Sequence, residues 1–352
     1  VPQGFGLPLG DITMPSNQQI VLKSRPEGEP SVDNFELTTS DTPALKDGDV
    51  LVKHHFLSLD PYMRGRMNAG KSYAQPQPLD EVMIGGTVGV VEASMHPKFQ
   101  VGDTVVGMGG WQTYSVVNGN TPGMLRKVST ELIPLSAYLG PVGMPGVTAW
   151  VGLHHICEPK AGETVVVSAA SGAVGTAVGQ LAKARGCRVV GIAGGQDKCD
   201  FLVNEAGFDA YVDYKAHTDP KSLYRALKEV TPDGVDCYFE SVGGPILDAV
   251  LLRTNAFARI AVCGMIAGYN GEPLPMQNPS LILVNRIKIQ GFIVSEHMEL
   301  WPPALQELGT MVASGKLKYR ETVADGLAAA PEAFLGLLKG KNFGKQLVKI
   351  NS

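Results

Sequence analysis

The sequence predicts an α/β protein in two parts, a doubly wound parallel sheet and a smaller, partly closed β-barrel. Three observations predict it. Residues 164–294 alternate apolar, β-branched runs with helix-forming segments, the pattern of parallel strands joined by crossover helices. The first crossover opens on a turn of small residues at 168–175. Residues 1–128 carry short β-branched runs at even intervals, punctuated by glycine, as small barrels do.

The 164–187 stretch, TVVVSAASGAVGTAVGQLAKARGC, is the centre of the argument. Val165, Val166 and Val167 read as a buried parallel strand. Small residues follow from Ser168 to Gly175, then a segment rich in Ala, Leu, Lys and Gln with good helix propensity. A second strand at 188–192 completes a βαβ unit. Glycines at such a turn let the backbone approach a pyrophosphate, and the free N–H groups of the helix start favour its charge. The spacing is Ala169-x-x-Gly172-x-x-Gly175, with Gly179 a turn further on, not the usual G-x-G-x-x-G. A tight strand–helix turn without a ligand is the alternative.

In the first part, strands are expected at 20–23, 50–53, 83–93 and 101–108, with turns at Gly48-Asp49 and Gly102-Asp103. Residues 66–80 read as a loop. From 135 to 156 the pattern is helical, interrupted at Gly143-Met144-Pro145-Gly146. Beyond the βαβ unit, strands are expected at 209–213, 235–239, 258–263 and 288–294, and helices at 220–230 and 245–252. The Gly-, Pro- and Asn-rich stretch 267–280 reads as a loop beyond a strand's carboxyl end, where such sheets bind ligands. A helix at 300–314 precedes a tail of two strands, 319–323 and 347–350, flanking a helix near 331–338. The tail is expected to return to the first part. The division is a discontinuous catalytic domain, 1–130 with 318–352, and a nucleotide-binding domain, 131–317.

Bulk properties narrow the function. The chain has 352 residues, 44% of them hydrophobic, and a net charge of -4. Nothing there suggests nucleic acid or membrane binding through a basic surface. No apolar run of about 18 residues is present, so no transmembrane helix is expected. The opening Val1-Pro2-Gln3-Gly4-Phe5-Gly6 has the pattern of neither a secretory nor a transit peptide. Cys157, Cys187, Cys199, Cys237 and Cys263 are spread singly and read as reduced, buried thiols of a cytoplasmic protein.

Two questions then decide the chemistry. The first is the dinucleotide. A carboxylate about 20 residues past the glycines holds a free ribose 2′-OH. Here the second strand ends Ala193-Gly194-Gly195-Gln196, with no acid in that run, and Lys198 comes two residues later. Lys198 suits a 2′-phosphate, and Tyr214 after the third strand adds a hydroxyl. The cofactor expected is NADPH; a solvated lysine at a helix start is the alternative for Lys198 alone. The second question is metal. All five cysteines lie at 157 or beyond, so the first domain has none for a Cys-based zinc site. His54-His55 and His154-His155 are adjacent pairs, and neighbours do not share a face. No metal is expected. Without a Lewis acid, hydride transfer to a conjugated carbonyl is less demanding than alcohol oxidation, and hydroxyl hydrogen bonds stabilise the enolate that forms. Tyr269, just past the fifth strand, and Tyr62, in the first domain, are the candidate donors. Each is otherwise an amphipathic packing residue.

The residues also carry a resemblance. The stretches LSLDPYMRGRM (57–67), GMPGVTAW (143–150), AASGAVGTAVGQLAK (169–183), GCRVVGIAGG (186–195), DCYFESVGG (236–244), CGMIAGYN (263–270), IQGFIV (289–294) and GLLKGKNFGKQLVKI (336–350) are similar to those of zinc-free medium-chain dehydrogenases/reductases. The branch is that of the prostaglandin and leukotriene reductases, the double-bond reductases and curcumin reductase. The resemblance runs nearly end to end. It implies a GroES-like catalytic domain, a Rossmann domain, and NADPH between them, reducing the carbon–carbon double bond of α,β-unsaturated ketones and aldehydes. By position it implies that Gly172, Ala173, Val174 and Gly175 hold the pyrophosphate, and that Gly194, Lys198 and Tyr214 lie at the 2′-phosphate. It implies that Thr148, Cys263, Gly264, Met265, Ile266, Ala267, Gly268 and Tyr269, with a strand Phe292, Ile293 and Val294, line the nicotinamide end. Asn342 reaches in from the tail. Tyr269 matches a tyrosine assigned to enolate stabilisation. Ser241 stands where relatives commonly have asparagine; the shorter serine side chain can still donate a hydrogen bond there, or a water takes its place. A homodimer, through edge pairing of two Rossmann sheets, is also implied. A quinone reductase of the same superfamily and a non-catalytic NADPH-binding sensor are the alternatives.

Overall fold

The computed structural model describes residues 14–350. The opening residues, read above as carrying no leader, and the last two residues of the tail lie outside them. Among the described residues the first elements are an antiparallel pair, β1 (Ser16–Leu22) and β2 (Phe35–Asp41). A mixed sheet follows from β3 (Asp49–Ser58), through a short helix α1 (Tyr62–Arg66), to β4 (Thr87–Ser94), β5 (Thr104–Gly107), β6 (Tyr114–Asn118) and β7 (Leu125–Lys127). Helix α2 (Met144–Val151) runs on into a π-helical turn, Gly152–Cys157.

The parallel sheet comes next. Its first half is β8 (Thr164–Val167), α3 (Gly175–Ala184), β9 (Arg188–Ala193), α4 (Gln196–Asn204) and β10 (Ala210–Asp213). Helix α5 (Pro220–Val230) leads to the second half, β11 (Val235–Glu240), α6 (Gly244–Leu251), β12 (Thr254–Val262), α7 (Ser280–Val284) and β13 (Lys288–Gly291). The six strands lie in the order β10-β9-β8-β11-β12-β13, every pair parallel. This is a Rossmann sheet. Its order reverses between β8 and β11, which opens a crevice at their carboxyl ends. The chain closes with α8 (Trp301–Ala313), β14 (Glu321–Asp325), α9 (Ala330–Leu338) and β15 (Lys345–Lys349). Strand β15 pairs antiparallel with β3 and parallel with β14, so the tail completes the first, mixed sheet.

Local chemistry explains these elements. The three valines of β8 are fully buried because both sheet faces are covered. Val165 and Val167 pack among residues of α2, α3 and α8, and Val166 packs with α5 and α6 on the other face. Each such burial contributes about 1.5–3 kcal/mol. Helix α5 begins at Pro220, whose missing N–H costs nothing there, after Asp219 caps Lys221 N and Ser222 N at 3.0 Å. In the first lobe, Phe35 stacks on Trp111 at 5.4 Å, and Phe334 of α9 meets Trp111 edge-on at 5.7 Å. Among the described residues no helix is long and apolar enough to cross a membrane.

Several boundaries differ from expectation. Met144, Pro145 and Gly146 do not interrupt a helix but begin α2, with Gly143 as the break before it. Proline fits the first turn, where no hydrogen bond is lost. Residues 292–294 are not strand. The β12 partner runs out where Val262 faces Gly291, and Phe292 then turns into the core, its ring 6.2 Å from Phe239. Strand β12 starts four residues early, at Thr254, and stops before Cys263. Strands β2, β6 and β7 add to those expected.

Candidate active site

The glycine turn is built by close backbone approach. Ala169 has a positive φ of 46°, which turns the chain off β8. A Cβ at Gly175 would stand 2.4 Å from Ala169 O and 2.8 Å from Ala170 Cα, so only glycine fits. Above Gly172 the space is open apart from Ala169 O at 3.2 Å. No side chain caps the start of α3; Gly172 O accepts Thr176 N at 3.1 Å, and the uncapped helix end favours an anion. Gly179 lets the Phe208 ring seat on α3, where a Cβ would come within 2.0 Å. The tail reaches this turn: Gly344 bridges Gly172, and Asn342 donates to Gly344 O at 2.7 Å.

At the end of β9 a second group assembles. The rings and chains of Tyr214 and Lys215 crowd Gly194, where a Cβ would lie 2.8 Å from Tyr214 and 2.9 Å from Lys215. Lys198, half-buried on α4, donates to Gly340 O at 2.8 Å. Burial, and then the Lys215 charge, lower its pKa. Lys215 was not singled out in the sequence, although it adjoins Tyr214. The expectation of no acid at this end needs a correction: Asp197 stands, exposed, in the first turn of α4. Asp213 of β10 comes alongside, its Oδ1 accepting Gly195 N at 2.9 Å and Lys215 N at 3.0 Å. Those bonds direct the carboxylate to the backbone.

The third group lies beyond β11 and β12. Glu240 is completely buried, and its Oε1 accepts Val242 N at 2.5 Å, Gly243 N at 2.9 Å and the Ser168 hydroxyl at 3.2 Å. Burial raises its pKa, against the pull of the two N–H bonds. Its backbone oxygen takes Cys263 N at 2.9 Å, while Ser241 O and Val242 O take Ile266 N and Ala267 N at 3.1 Å each. The loops 241–244 and 263–269 are thereby stitched together. Met265 O and Ile266 O accept Gly268 N at 3.0 Å and Tyr269 N at 3.2 Å. Burial pushes the Cys263 thiol up to about 12, against the pull of the neighbouring Ser241 side chain. Glu240 was also missed, although it stands inside the quoted 236–244 stretch; nothing local distinguishes a buried carboxylate from a surface one. Thr148 is buried on α2 and gives its hydroxyl proton to Met144 O at 2.7 Å. Phe292 has its ring in the core, Val294 O accepts Trp301 Nε1 at 3.1 Å, and Ile293 precedes the turn Val294–Glu296.

The two tyrosines stand on opposite lobes. Tyr269 packs over Gly264, where a Cβ would be 2.6 Å from the phenol oxygen. Burial, helped by the nearby Cys263 and Tyr73, pushes its pKa up to about 12. Tyr62 opens α1, and burial beside Asp60 raises its pKa as well. Both are therefore neutral donors at ordinary pH. Arg66 lies 5.8 Å from the Tyr62 and Tyr73 rings alike. The turn before Tyr62 is fixed by a buried pair, Lys345 Nζ to Asp60 Oδ1 at 2.8 Å, and Lys345 also donates to Leu59 O at 2.7 Å. Of the histidines, His54 is buried against Ser115 Oγ at 2.8 Å, and among the described residues no three His, Cys, Asp or Glu side chains gather to hold a metal.

Comparison with known proteins gives the family. Residues 18–125 match the family model described as N-terminal domain of oxidoreductase, and residues 173–310 match that described as zinc-binding dehydrogenase. The chain is 45% identical over 341 residues to the NADPH-dependent curcumin reductase of Escherichia coli, covering 95% of this chain and 97% of that protein. It is 45% identical over 342 residues to the NADP(+)-dependent 2-alkenal reductase of Nicotiana tabacum, covering 96% and 98%. A crystal structure of CurA in complex with NADPH from Vibrio vulnificus superposes with a TM-score of 0.89 at 46% identity, covering 95% of this chain and 99% of that one.

Proposed function

From the premise that this chain belongs to the medium-chain dehydrogenase/reductase family, in its double-bond reductase branch, we propose an NADPH-dependent reductase of α,β-unsaturated ketones and aldehydes. When bound, NADPH supplies the hydride that the β-carbon of the conjugated carbonyl accepts. The residues present fit that cofactor. The side-chain-free turn at Gly172 and Gly175 and the uncapped start of α3 suit a pyrophosphate. Lys198, Lys215 and Tyr214 around Gly194 suit a 2′-phosphate.

The observation that carries the reaction is the Tyr269 hydroxyl: neutral, largely buried, and held over Gly264 at the crevice of the parallel sheet. As hydride reaches the β-carbon, negative charge moves to the carbonyl oxygen. A fixed phenol donor in a dry site stabilises that charge without ionising itself. Tyr62 supplies a second neutral hydroxyl from the facing lobe. Glu240 holds the loops that shape the pocket, and Ser241 supports Cys263 beside Tyr269.

The reading includes the domain division 1–130 with 318–352 and 131–317. It also includes a cytoplasmic homodimer. Edge strand β13 and the exposed Leu283 and Val284 beside it suit pairing of two parallel sheets, and the five free cysteines suit a reducing compartment. The test is steady-state turnover with NADPH over a panel of enones, enals and quinones. Consumption of NADPH with saturation of the enone double bond is expected. Turnover of quinones alone overturns the reading, as does tight NADPH binding without turnover of any electrophile.

A further inference from the structure

The 57–67 stretch contains a residue to which the reaction above gives no part. Arg64 is 2% exposed, on a five-residue helix at the cleft. Its guanidinium makes three hydrogen bonds to three places. Nε donates to Asn270 Oδ1 at 3.1 Å, Nη1 to Asn68 Oδ1 at 2.7 Å, and Nη2 to Gly28 O at 2.6 Å. All three acceptors are neutral, and burial lowers its pKa while Glu272 raises it. Retaining a buried guanidinium on neutral acceptors is costly, and the fork is the geometry that uses it.

The first of these bonds crosses between lobes. Asn270 follows Tyr269 directly, and Arg64 lies two residues past Tyr62. The base of the 263–269 loop is held by its own lobe, through Glu240 O, Ser241 O and Val242 O. Its tip is held by Arg64 from the other lobe. We propose that Arg64 is a positioning residue, tying the tip of the Tyr269 loop to the helix that carries Tyr62 and so setting how the two hydroxyls face one another. The inference rests on the part given above to Tyr269.

The test compares Arg64→Met, Arg64→Lys, Asn270→Ala, Tyr269→Phe and the Arg64→Met/Tyr269→Phe double variant in the full-length protein. Arg64→Met is expected to lower kcat for an enone about tenfold, with a smaller change in KM for NADPH. Arg64→Lys keeps the charge but not the fork, and is expected to behave like Arg64→Met. Asn270→Ala removes the same tie without emptying a buried site and is expected to reproduce the kinetic change, which covers the case of a poorly folding arginine variant. If Arg64 acts through Tyr269, the double variant is no slower than Tyr269→Phe within about twofold. Losses that multiply overturn the proposal. Amide hydrogen exchange should quicken in 263–272 in both Asn270→Ala and Arg64→Met, and unchanged exchange there overturns the proposal whatever the kinetics. If Tyr269→Phe alone leaves kcat/KM unchanged, the reading of Tyr269 fails, and the exchange pattern alone decides the tie.

Discussion

At the scale of single residues, the site depends on groups kept neutral and groups kept charged. Tyr269 is neutral because burial disfavours its phenolate, and this is what a hydrogen-bond donor to an enolate requires. Tyr269→Phe is expected to lower kcat/KM for an enone by 10- to 100-fold, about 1.4–2.7 kcal/mol of transition-state stabilisation, with little change in KM for NADPH. Steady-state kinetics on both substrates checks this; an unchanged kcat/KM removes Tyr269 from the mechanism. Lys198 is held by Gly340 O beside Lys215. Lys198→Ala is expected to raise KM for NADPH about tenfold, the worth of one charge-assisted hydrogen bond. The NADH KM should not change, and an equal rise for both cofactors counts against a 2′-phosphate contact. The strand-end positions of Tyr269 and Lys198 were legible because each follows a strand of the alternating β/α pattern. The surroundings of Arg64, Lys215 and Glu240 were not, because they are made by partners as far as 206 residues away, as with Arg64 and Asn270.

At the scale of elements, the legible parts were those whose signal is local. Helix α5 spans the 220–230 range expected, since its Asp cap, first-turn proline and amphipathic run are contiguous. The valines of β8 announce a strand buried on both faces. Strand β6 alternates half-buried with buried residues over only five positions, too short to stand out. The end of β13 depends on where its neighbour stops, which is tertiary information. The loop 263–269 depends on tertiary contact too, and Gly264 is its critical position. Gly264→Ala would place a methyl group 2.6 Å from the Tyr269 oxygen, so the phenol must move. The expected outcome is a loss of kcat/KM comparable to that of Tyr269→Phe, about tenfold or more, with a melting temperature within a few degrees of the parent. Activity kept at the parent level would mean that the phenol position is not critical.

At the scale of the whole molecule, each lobe holds a histidine kept neutral, one buried and one half-buried. In the mixed-sheet lobe, burial and then the neighbouring His55 lower His54 to about 3. Beside the parallel sheet, burial and then Arg185 lower His154 to about 4, with the Trp150 ring 4.8 Å away. In the unfolded chain both take up a proton below about 6.5. As pH falls from 6.5, the unfolded state therefore binds protons that the folded state does not. Stability drops, and it stops dropping from this source only below the folded pKa values. Carboxylates with raised pKa, Glu240 and Glu321, act in the opposite direction above their unfolded values, so the total slope is a sum of opposing contributions. A difference isolates one of them. Urea unfolding of the parent and of His154→Gln, measured from pH 4.5 to 6.5, should give stability curves that converge toward the acid end. The parent should lose about 2 kcal/mol more than the variant across that window, roughly 1 kcal/mol per pH unit. Curves that stay parallel would mean that His154 is protonated in the folded protein, and that the Arg185–Glu307 pair beside it accommodates a second cation.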